Sequence, residues 1–550
     1  MKNLSLIIFF FVITESNLFA QDGSLDSTFG TNGMVTLDIN SGSSDYSTDI
    51  VVQADEKILV FGTAADNFIV TRHNINGDPD STFGINGIAT IDIGGSETPV
   101  KFGLQSDEKI IIMGTAYIGS DLNLVLARLK TDGSIDSTFG TNGVVTSTFG
   151  YESYGFNDLQ IQQDNKIVVS GTVANYSTPE LYNVIVLRYT ENGNPDNSFG
   201  TNGSATIDFN SNYNEKGYVA LQSNGKLIVL TNTYNSGIVK AALARLNSNG
   251  ILDNSFGTNG KIILNSISGN DYWNCIVTQS DDKIIIGGKS NDGNNNVFAL
   301  MRLTQAGMLD NTFSGTGIVT TSFANNNASG NDCTIQTDGK ILLAGYLEDI
   351  NFNYSFAIAR FDTSGNLDTT FDSDGKQSFS FNPSPPTSDQ CKAVTMQNDG
   401  KILMTGGVGD FSTGDFGIAR LIGSTTNSSV VVSIKIFLEG PYNSPNMNAS
   451  LTIPTTSPYQ EDPETVSSIP NISGNEVVDW VLVQLRDQNN ETNILESQSA
   501  FLLQDGTVVD VDGSNPVQFS QPGNTSYYIA VKHRNHLAVM SANPVQLTAN

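Results

Sequence analysis

Positive charge is scarce in this chain. Only 27 Lys and Arg stand against 56 Asp and Glu, for a formal net charge of −29. Nothing here could neutralise a row of phosphates, so nucleic acid is excluded as a partner. Docking on an anionic membrane surface is excluded with it. The acid excess favours solubility and a weak attraction for divalent cations. Charged residues make up only 15% of the chain, which argues for a folded protein rather than charge-driven disorder.

Cysteine is almost absent as well. Cys275, Cys333 and Cys391 are evenly spaced, 58 residues apart, but they lie four, three and six residues before Gln279, Gln336 and Gln397. They therefore occupy different positions of the pattern described below, and an odd number leaves one unpaired. Free buried thiols are expected. Long apolar runs are missing too. Leu6–Ile13 ("LIIFFFVI") is too short to span a bilayer. With Lys2 before it and "NLFA" ahead of Gln21, it reads as a secretory signal over residues 1–20. The mature chain is expected to be secreted or held at the cell surface, with no transmembrane segment.

What the chain does have is glycine, 52 residues of it, and one turn written seven times. "DSTFGTNG" begins at Asp26, "DSTFGING" at Asp80, "DSTFGTNG" at Asp136, and "DNSFGTNG" at both Asp196 and Asp253. "DNTFSGTG" follows from Asp310 and "DTTFDSDG" from Asp368. The steps are 54, 56, 60, 57, 57 and 58 residues, a period that marks propellers, solenoids and arrays. Inside the first unit "GMVTLDI" (Gly33 to Ile39) alternates as a strand, and "DIVVQA" (Asp49 to Ala54) is a second. "KILVFG" (Lys57 to Gly62) is a continuous apolar run suited to a strand buried on both faces, and "NFIVTRH" (Asn67 to His73) is the fourth. A tight turn, "DEK" here and "DGK" at Asp338 to Lys340, joins the second to the third. No segment shows a capped helical period.

Four short strands per unit and seven units match an all-β, seven-bladed β-propeller with four antiparallel strands per blade. A parallel β-helix would need shorter coils and no hairpins. Arg72, Arg128, Arg188, Arg245, Arg302 and Arg360 each precede the next repeat Asp by eight residues. Only Arg420 lacks a following Asp, and only Asp26 a preceding Arg. In a closed ring these two become the seventh pair. The Asp is expected to cap a turn and face the Arg. The Phe of each copy (Phe29, Phe83, Phe139, Phe199, Phe256, Phe313, Phe371) is expected to fill an apolar gap between blades, worth roughly 1.5–3 kcal/mol per ring. A feature copied into every blade reads as architecture rather than as seven sites.

"NGNPDNSFGTNG", "QTDGKILLAG" and "FAIARFD" resemble the delta-60 repeats of bacterial secreted proteins, a β-propeller family of undefined function. The resemblance covers residues 24–421 and implies a fold and an exported bacterial protein. It supplies no catalytic residues. After a polar linker at 422–429 the period stops, and 430–550 reads as a β-sandwich of strands separated by Pro- and Ser-rich loops. There "VDWVLVQLRD" and "YYIAVKHRNHLAVMS" are similar to a module near the C-termini of proteins from bacteria with type IX secretion. Such proteins usually carry a further sorting domain, so the module is read as truncated or the chain as leaving by another route.

Catalytic signals are thin. The only histidines are His73, His533 and His536; His73 stands where other units carry a packing residue, and no Ser–His–Asp set can be assembled within the propeller. The two imidazoles of "HRNH", at i and i+3, fall on opposite faces of a strand and suit one metal poorly. "DVDGSN" (Asp510 to Asn515) has its Gly at position four and lacks the closing Glu of a calcium loop, so it reads as a β-turn. No metal or other cofactor is expected, with calcium left open. Paired carboxylates for glycoside cleavage depend on three-dimensional distance.

Topology is more informative. The "DGK" and "DxxFG" turns share one end of an up-and-down blade, and the connections that vary from unit to unit share the other. Variable loops on a rigid scaffold are where binding lives. These loops carry Tyr46, Tyr151, Tyr154, Tyr213, Asp271, Tyr272 and Trp273 on one set of connections, and Tyr176, Tyr182, Tyr234 and Tyr354 on the other. Flat apolar rings beside Asn and Asp are the means by which sugars are held. The expected function is a secreted, non-catalytic binding or adhesion protein, a monomer that takes an extracellular polysaccharide or surface protein. A polysaccharide-active enzyme with axial carboxylates and a structural interaction scaffold are the alternatives.

Overall fold

The computed structural model describes residues 21–423 apart from 43, 120, 149–152, 176–180, 212, 236, 266, 270, 325, 383–386 and 411–412. It describes 430–547 apart from 439–441, 444–445, 448, 450–451, 467, 471–474, 489, 514, 520–524 and 535. The signal read at 1–20 and most of the linker fall outside the described residues. Two compact units divide the chain, Ala20–Ser424 and Thr425–Asn550. Among the described residues no helix is long and apolar enough to cross a membrane.

The first unit is a ring of seven four-stranded antiparallel sheets. In the first blade Tyr46–Val52 is innermost, followed by Ile58–Ala64, Asn67–His73 and the outermost strand Ile88–Ile91. The sequence unit is therefore not the blade. The strand after each "DxxFG" turn, taken from sequence as the first of its own unit, is the last strand of the preceding blade. The offset has a consequence at the chain ends. Met34–Leu37 pairs antiparallel with Asp415–Leu421, so the seventh blade takes its outer strand from the N-terminus and its other three from the C-terminal end of the ring. The two variable sets of connections still share one face, and the "DGK" and "DxxFG" turns share the other.

The core lies between blades. Leu59, Phe61, Phe68 and Val70 of the first blade pack with Phe102, Ile110 and Ile112 of the second. Every repeat Phe has zero exposure. Above each ring sits an Arg, its guanidinium carbon 4.6–5.0 Å from the centroid. In the first blade Arg72 Nε donates to Asp80 at 2.7 Å, while Nη1 donates to the Thr131 carbonyl of the second blade at 2.5 Å. Gly133 lies on the Phe83 ring at φ 84°, and a Cβ there would fall 3.0 Å from that ring and from the Gly84 amide nitrogen, so the glycine between Arg128 and Asp136 is required by close approach. Each Asp also receives the Lys of the hairpin turn, from Lys57 Nζ to Asp80 at 2.7 Å round to Lys401 to Asp26 at 3.6 Å. Burial alone would raise the Asp136 carboxyl, but hydrogen bonds from Thr138 and the Arg128 and Lys109 cations hold it at about 2.

The innermost strands adjoin one another round the axis. Each carries one β-bulge near the variable face: at Thr48, Val100, Asn157, Lys216–Gly217, Asn274, Asn331 and Lys392. Opposite the bulge six blades have Gly62, Gly114, Gly171, Gly288, Gly345 or Gly406 on the second strand. A Cβ on Gly62 would lie 2.2 Å from the Tyr46 carbonyl. The fourth blade has Thr231 there, and its innermost strand diverges, with Lys216 at φ 61°.

In the second unit one antiparallel sheet runs in the spatial order Ile434–Lys435, Thr507–Val509, Asn490–Leu503, Val477–Asp487, Thr525–His533 and His536–Met540, with Val545–Leu547 also on Thr525–His533. Val430–Val432 pairs separately with Val517–Phe519, and Tyr442–Asn443 with Asn446–Met447. A second full sheet, as a sandwich would need, is not present among the described strands. Val477–Asp487 is buried on both faces: Val478, Val481 and Val483 enter one cluster, Val477, Trp480 and Leu482 another. "DVDGSN" forms the expected turn, with Gly513 N donating to Asp510 O at 2.9 Å.

Candidate functional site

The variable face gathers tyrosines from three consecutive blades. Tyr182 and Tyr213 have ring centroids 4.4 Å apart, and Tyr213 meets Tyr234 edge-on at 5.0 Å. Tyr234 Oη donates to Glu215 at 3.0 Å and lies 3.1 Å from Tyr272 Oη. Lys289 stands 5.3 Å over the Tyr272 ring. Beside this row opens a cleft of about 240 Å³, lined by Asn157, Thr172, Tyr182, Tyr213, Glu215 and Lys216 among others. Tyr213 is exposed, while Tyr182, Tyr234 and Tyr272 are half-buried and so held by their neighbours. Burial and the bonds to Tyr272 and Glu215 push the Tyr234 phenol well above its ordinary value, so it stays a donor at any physiological pH.

Other expected residues fall elsewhere. Trp273 is only 1% exposed, packed with Ile228 and Leu230 of the fourth blade, and its backbone is clamped by both ends of the Asn232 amide. Its indole is a core element rather than a ligand platform. Asp271 is fully buried and accepts from Ser268 and Ser290 hydroxyls, pinning the connection into the fifth blade. Asp45 and Asp389 do the same for the first and seventh blades, accepting the amides of Ile39 and Asn40, and of Phe381 and Gly409. Tyr46 lies half-buried beside Gly407, and Tyr354 donates to Glu348 at 3.1 Å on the sixth blade, apart from the row. Tyr151, Tyr176 and the Tyr154 side chain lie outside the described residues. Sequence reasoning missed Glu215, Lys216 and Lys392, and also the exposed Tyr117 and Phe352 of the variable hairpins. Thr231, alone in a column of glycines, was the available signal for Lys216.

Carboxylates do gather at the axis. Below the bulges, Lys101 reaches Asp49 at 3.2 Å and, across the ring, Asp332 at 4.0 Å. Asp49, Asp158 and Asp332 each accept the backbone amide of the next blade, from Phe102, Val219 and Val394. Burial pushes the Asp158 carboxyl up to about 7, against Lys101 and its amide donors. These acids latch neighbouring blades together, and each oxygen of Asp49 and Asp158 already accepts a hydrogen bond.

Asp38, Asp45 and Asp415 bring carboxylate oxygens within 4.8 Å of one another, and could hold a cation. His73 is a buried packing residue, with ring nitrogens 3.0 Å from Gly77 O and Thr71 Oγ1. His533 lies 3.2 Å from Asp479. A larger groove of about 900 Å³ runs along the outer rim of the fourth and fifth blades. Among the described residues Lys261 is its only charged group, so it offers an anionic or cationic ligand little.

Residues 105–139, 162–199, 222–256, 279–313 and 336–371 match the model of a family described as a domain of unknown function (DUF5122) beta-propeller. Each matched segment runs through the hairpin turn, the Arg and the Asp to the Phe. No curated protein matches the chain. Among solved structures, a catalytically inactive virginiamycin B lyase from Staphylococcus aureus with quinupristin is 13% identical, covering 71% of this chain and 99% of that one, at a TM-score of 0.42. A protein of unknown function from Dyadobacter fermentans is 8% identical, covering 71% and 98%, at 0.39. Polysaccharide lyase Uly1 is 11% identical, covering 74% and 94%, at 0.40.

Proposed function

The ring belongs to the delta-60 repeat family of β-propellers, and from that premise we propose that this is an exported, non-catalytic binding protein whose variable face takes an extracellular carbohydrate. The continuous row Tyr182–Tyr213–Tyr234–Tyr272 carries the proposal. Its rings present flat apolar surface, Glu215 and the phenols present fixed hydrogen-bond partners, and the cleft beside them is concave. The row is built from connections that differ between blades, on a scaffold the repeated motif makes rigid.

An axial-carboxylate enzyme is the second reading, favoured by the elevated Asp158. The amide donors and Lys101 that occupy the three axial acids weigh against it. A glycan-array screen of the full chain, with and without calcium, separates the readings. Specific binding that Tyr213→Ala abolishes in a folded protein supports the binder. Turnover of a bound glycan that Asp158→Asn abolishes would replace it with the enzyme.

A further inference from the structure

The variable-face ends of the innermost strands, where the bulges gather round the axis, depart from the charge of the rest of the molecule. In a chain of net charge −29, the bulge positions there supply Asn157, Lys216, Asn274, Asn331 and Lys392 and no carboxylate. Lys216 belongs to the fourth blade and Lys392 to the seventh, so they face each other across the axis. Lys216 is held 3.4 Å from Asn274 Oδ1, and Lys392 is 3.1 Å from Gln390 Oε1. Neither makes an ion pair among the described residues, nor does Lys289. By contrast, all seven hairpin lysines are paired with a repeat Asp.

Partial removal from water, together with mutual repulsion, lowers both ammonium groups: Lys289 acts on Lys216 against the pull of Glu215, and Lys216 acts on Lys392. The axial acids deeper down do not relieve this, being held by Lys101 and by backbone amides. Glu215 offsets Lys289 at Lys216, but none of the three lysines is ion-paired among the described residues, and an anion would relieve the repulsion that remains among them. Lys216 also lines the tyrosine cleft, so one ligand can touch both.

We infer that the ligand of the variable face is an acidic polysaccharide, whose sugar rings lie on the tyrosine row while its carboxylate or sulfate groups meet Lys216, Lys392 and Lys289. The inference rests on the cleft being the binding site, and deepens that reading by naming the ligand's charge. Lys216 and Lys392 supply charge-assisted hydrogen bonds, and the Asn157, Asn274 and Asn331 amides surround them with neutral polar groups.

The test measures binding of the full chain by calorimetry. Polygalacturonate and dextran sulfate are the charged probes, with fully methyl-esterified polygalacturonate and dextran as their uncharged counterparts. At least one charged polymer should bind about tenfold or more tightly than its counterpart, with affinity falling as salt rises. Which one does so distinguishes carboxylate from sulfate recognition. Lys216→Gln and Lys392→Gln should each cost about tenfold toward the charged polymer and little toward the uncharged one. Lys130→Gln, on the opposite face, should change nothing. Equal affinity for charged and uncharged polymers, binding indifferent to both lysine variants, or no binding of either charged probe overturns the inference. Loss of uncharged-polymer binding in Tyr213→Ala would leave the cleft standing even then. Binding unchanged in Tyr213→Ala would remove the cleft itself.

Discussion

Arg420 Nε donates to Asp26 at 2.8 Å although 394 residues separate them in the chain. The same guanidinium reaches the Ile75 carbonyl of the first blade and lies 4.6 Å from the centroid of Phe29. The contact repeats what Arg72 does with Asp80, but here it joins the two ends of the ring. Arg420 is 2% exposed, so removing its side chain leaves Asp26 buried without its main cation. Arg420→Ala is expected to cost about 3–5 kcal/mol in urea unfolding. A loss below about 1 kcal/mol would show that strand pairing at Met34–Leu37 closes the ring unaided.

Acid should open the ring over a defined range. Asp136, Asp196, Asp310 and Asp368 are each held at about 2: burial opposes ionisation, but hydroxyl and amide donors and the Arg and Lys cations outweigh it. Because these folded values lie below the ordinary carboxyl value, their contribution is full above about pH 4 and is lost as pH falls toward 2. Near-ultraviolet circular dichroism should show cooperative loss of structure within that interval. Asp253→Asn should be less stable at pH 7 but lose less on further acidification.

The axial acid Asp158 should behave in the opposite sense. Its carboxyl lies at about 7, so between pH 4 and 7 the folded state holds a proton that the unfolded chain has released. Its contribution is full below about pH 4 and is lost as pH rises through 7. Asp49, Lys101 and Asp332 face it. Asp158→Asn keeps an acceptor for Val219 N and removes the charge. Its Tm should exceed that of the unsubstituted protein by about 2–4 °C at pH 8 and match it near pH 4. An equal difference at both values would mean that the carboxyl is not protonated in the fold.

The three cysteines are free and buried, as expected from their unequal positions. Burial raises the thiols of Cys275 and Cys391 far above their ordinary value. Native protein should therefore resist a maleimide that labels all three in denaturant. Labelling of native Cys391, which has zero exposure, would contradict the ring's packing.

The ring was legible because its contacts repeat at a fixed spacing: an Arg eight residues before an Asp, six times over, leaves Arg420 and Asp26 to complete a seventh pair. The blade boundary was not, since nothing within one unit says whether "GMVTLDI" pairs with its own third strand or with the previous blade. The long-range pairing of Met34–Leu37 with Asp415–Leu421 decides it. The Lys of the hairpin turn was visible in all seven units, but its partner lies 23 to 30 residues ahead in six of them and is the distant Asp26 for Lys401, beyond the reach of local pattern. The tyrosines were legible as a set on one face, because strand direction alone sorts connections to the two ends. Which of them meet depends on the bulges, and a bulge leaves only a faint trace in sequence.

Trp273 and Tyr213 make that distinction measurable. Both stand near the start of an innermost strand, and the sequence placed both among the candidate ligand residues of the variable loops. Packing against Ile228 and Leu230 and the Asn232 clamp instead hold the indole in the core between the fourth and fifth blades, at 1% exposure, while Tyr213 is 36% exposed. Trp273→Ala should cost about 3–5 kcal/mol of stability, with any loss of binding following from unfolding. Tyr213→Ala should stay within about 0.5–1 kcal/mol of the parent and abolish binding at temperatures where both remain folded. Chemical denaturation of the two variants beside a binding isotherm at 10 °C would tell them apart. A stable Trp273→Ala that no longer binds would return the indole to the site.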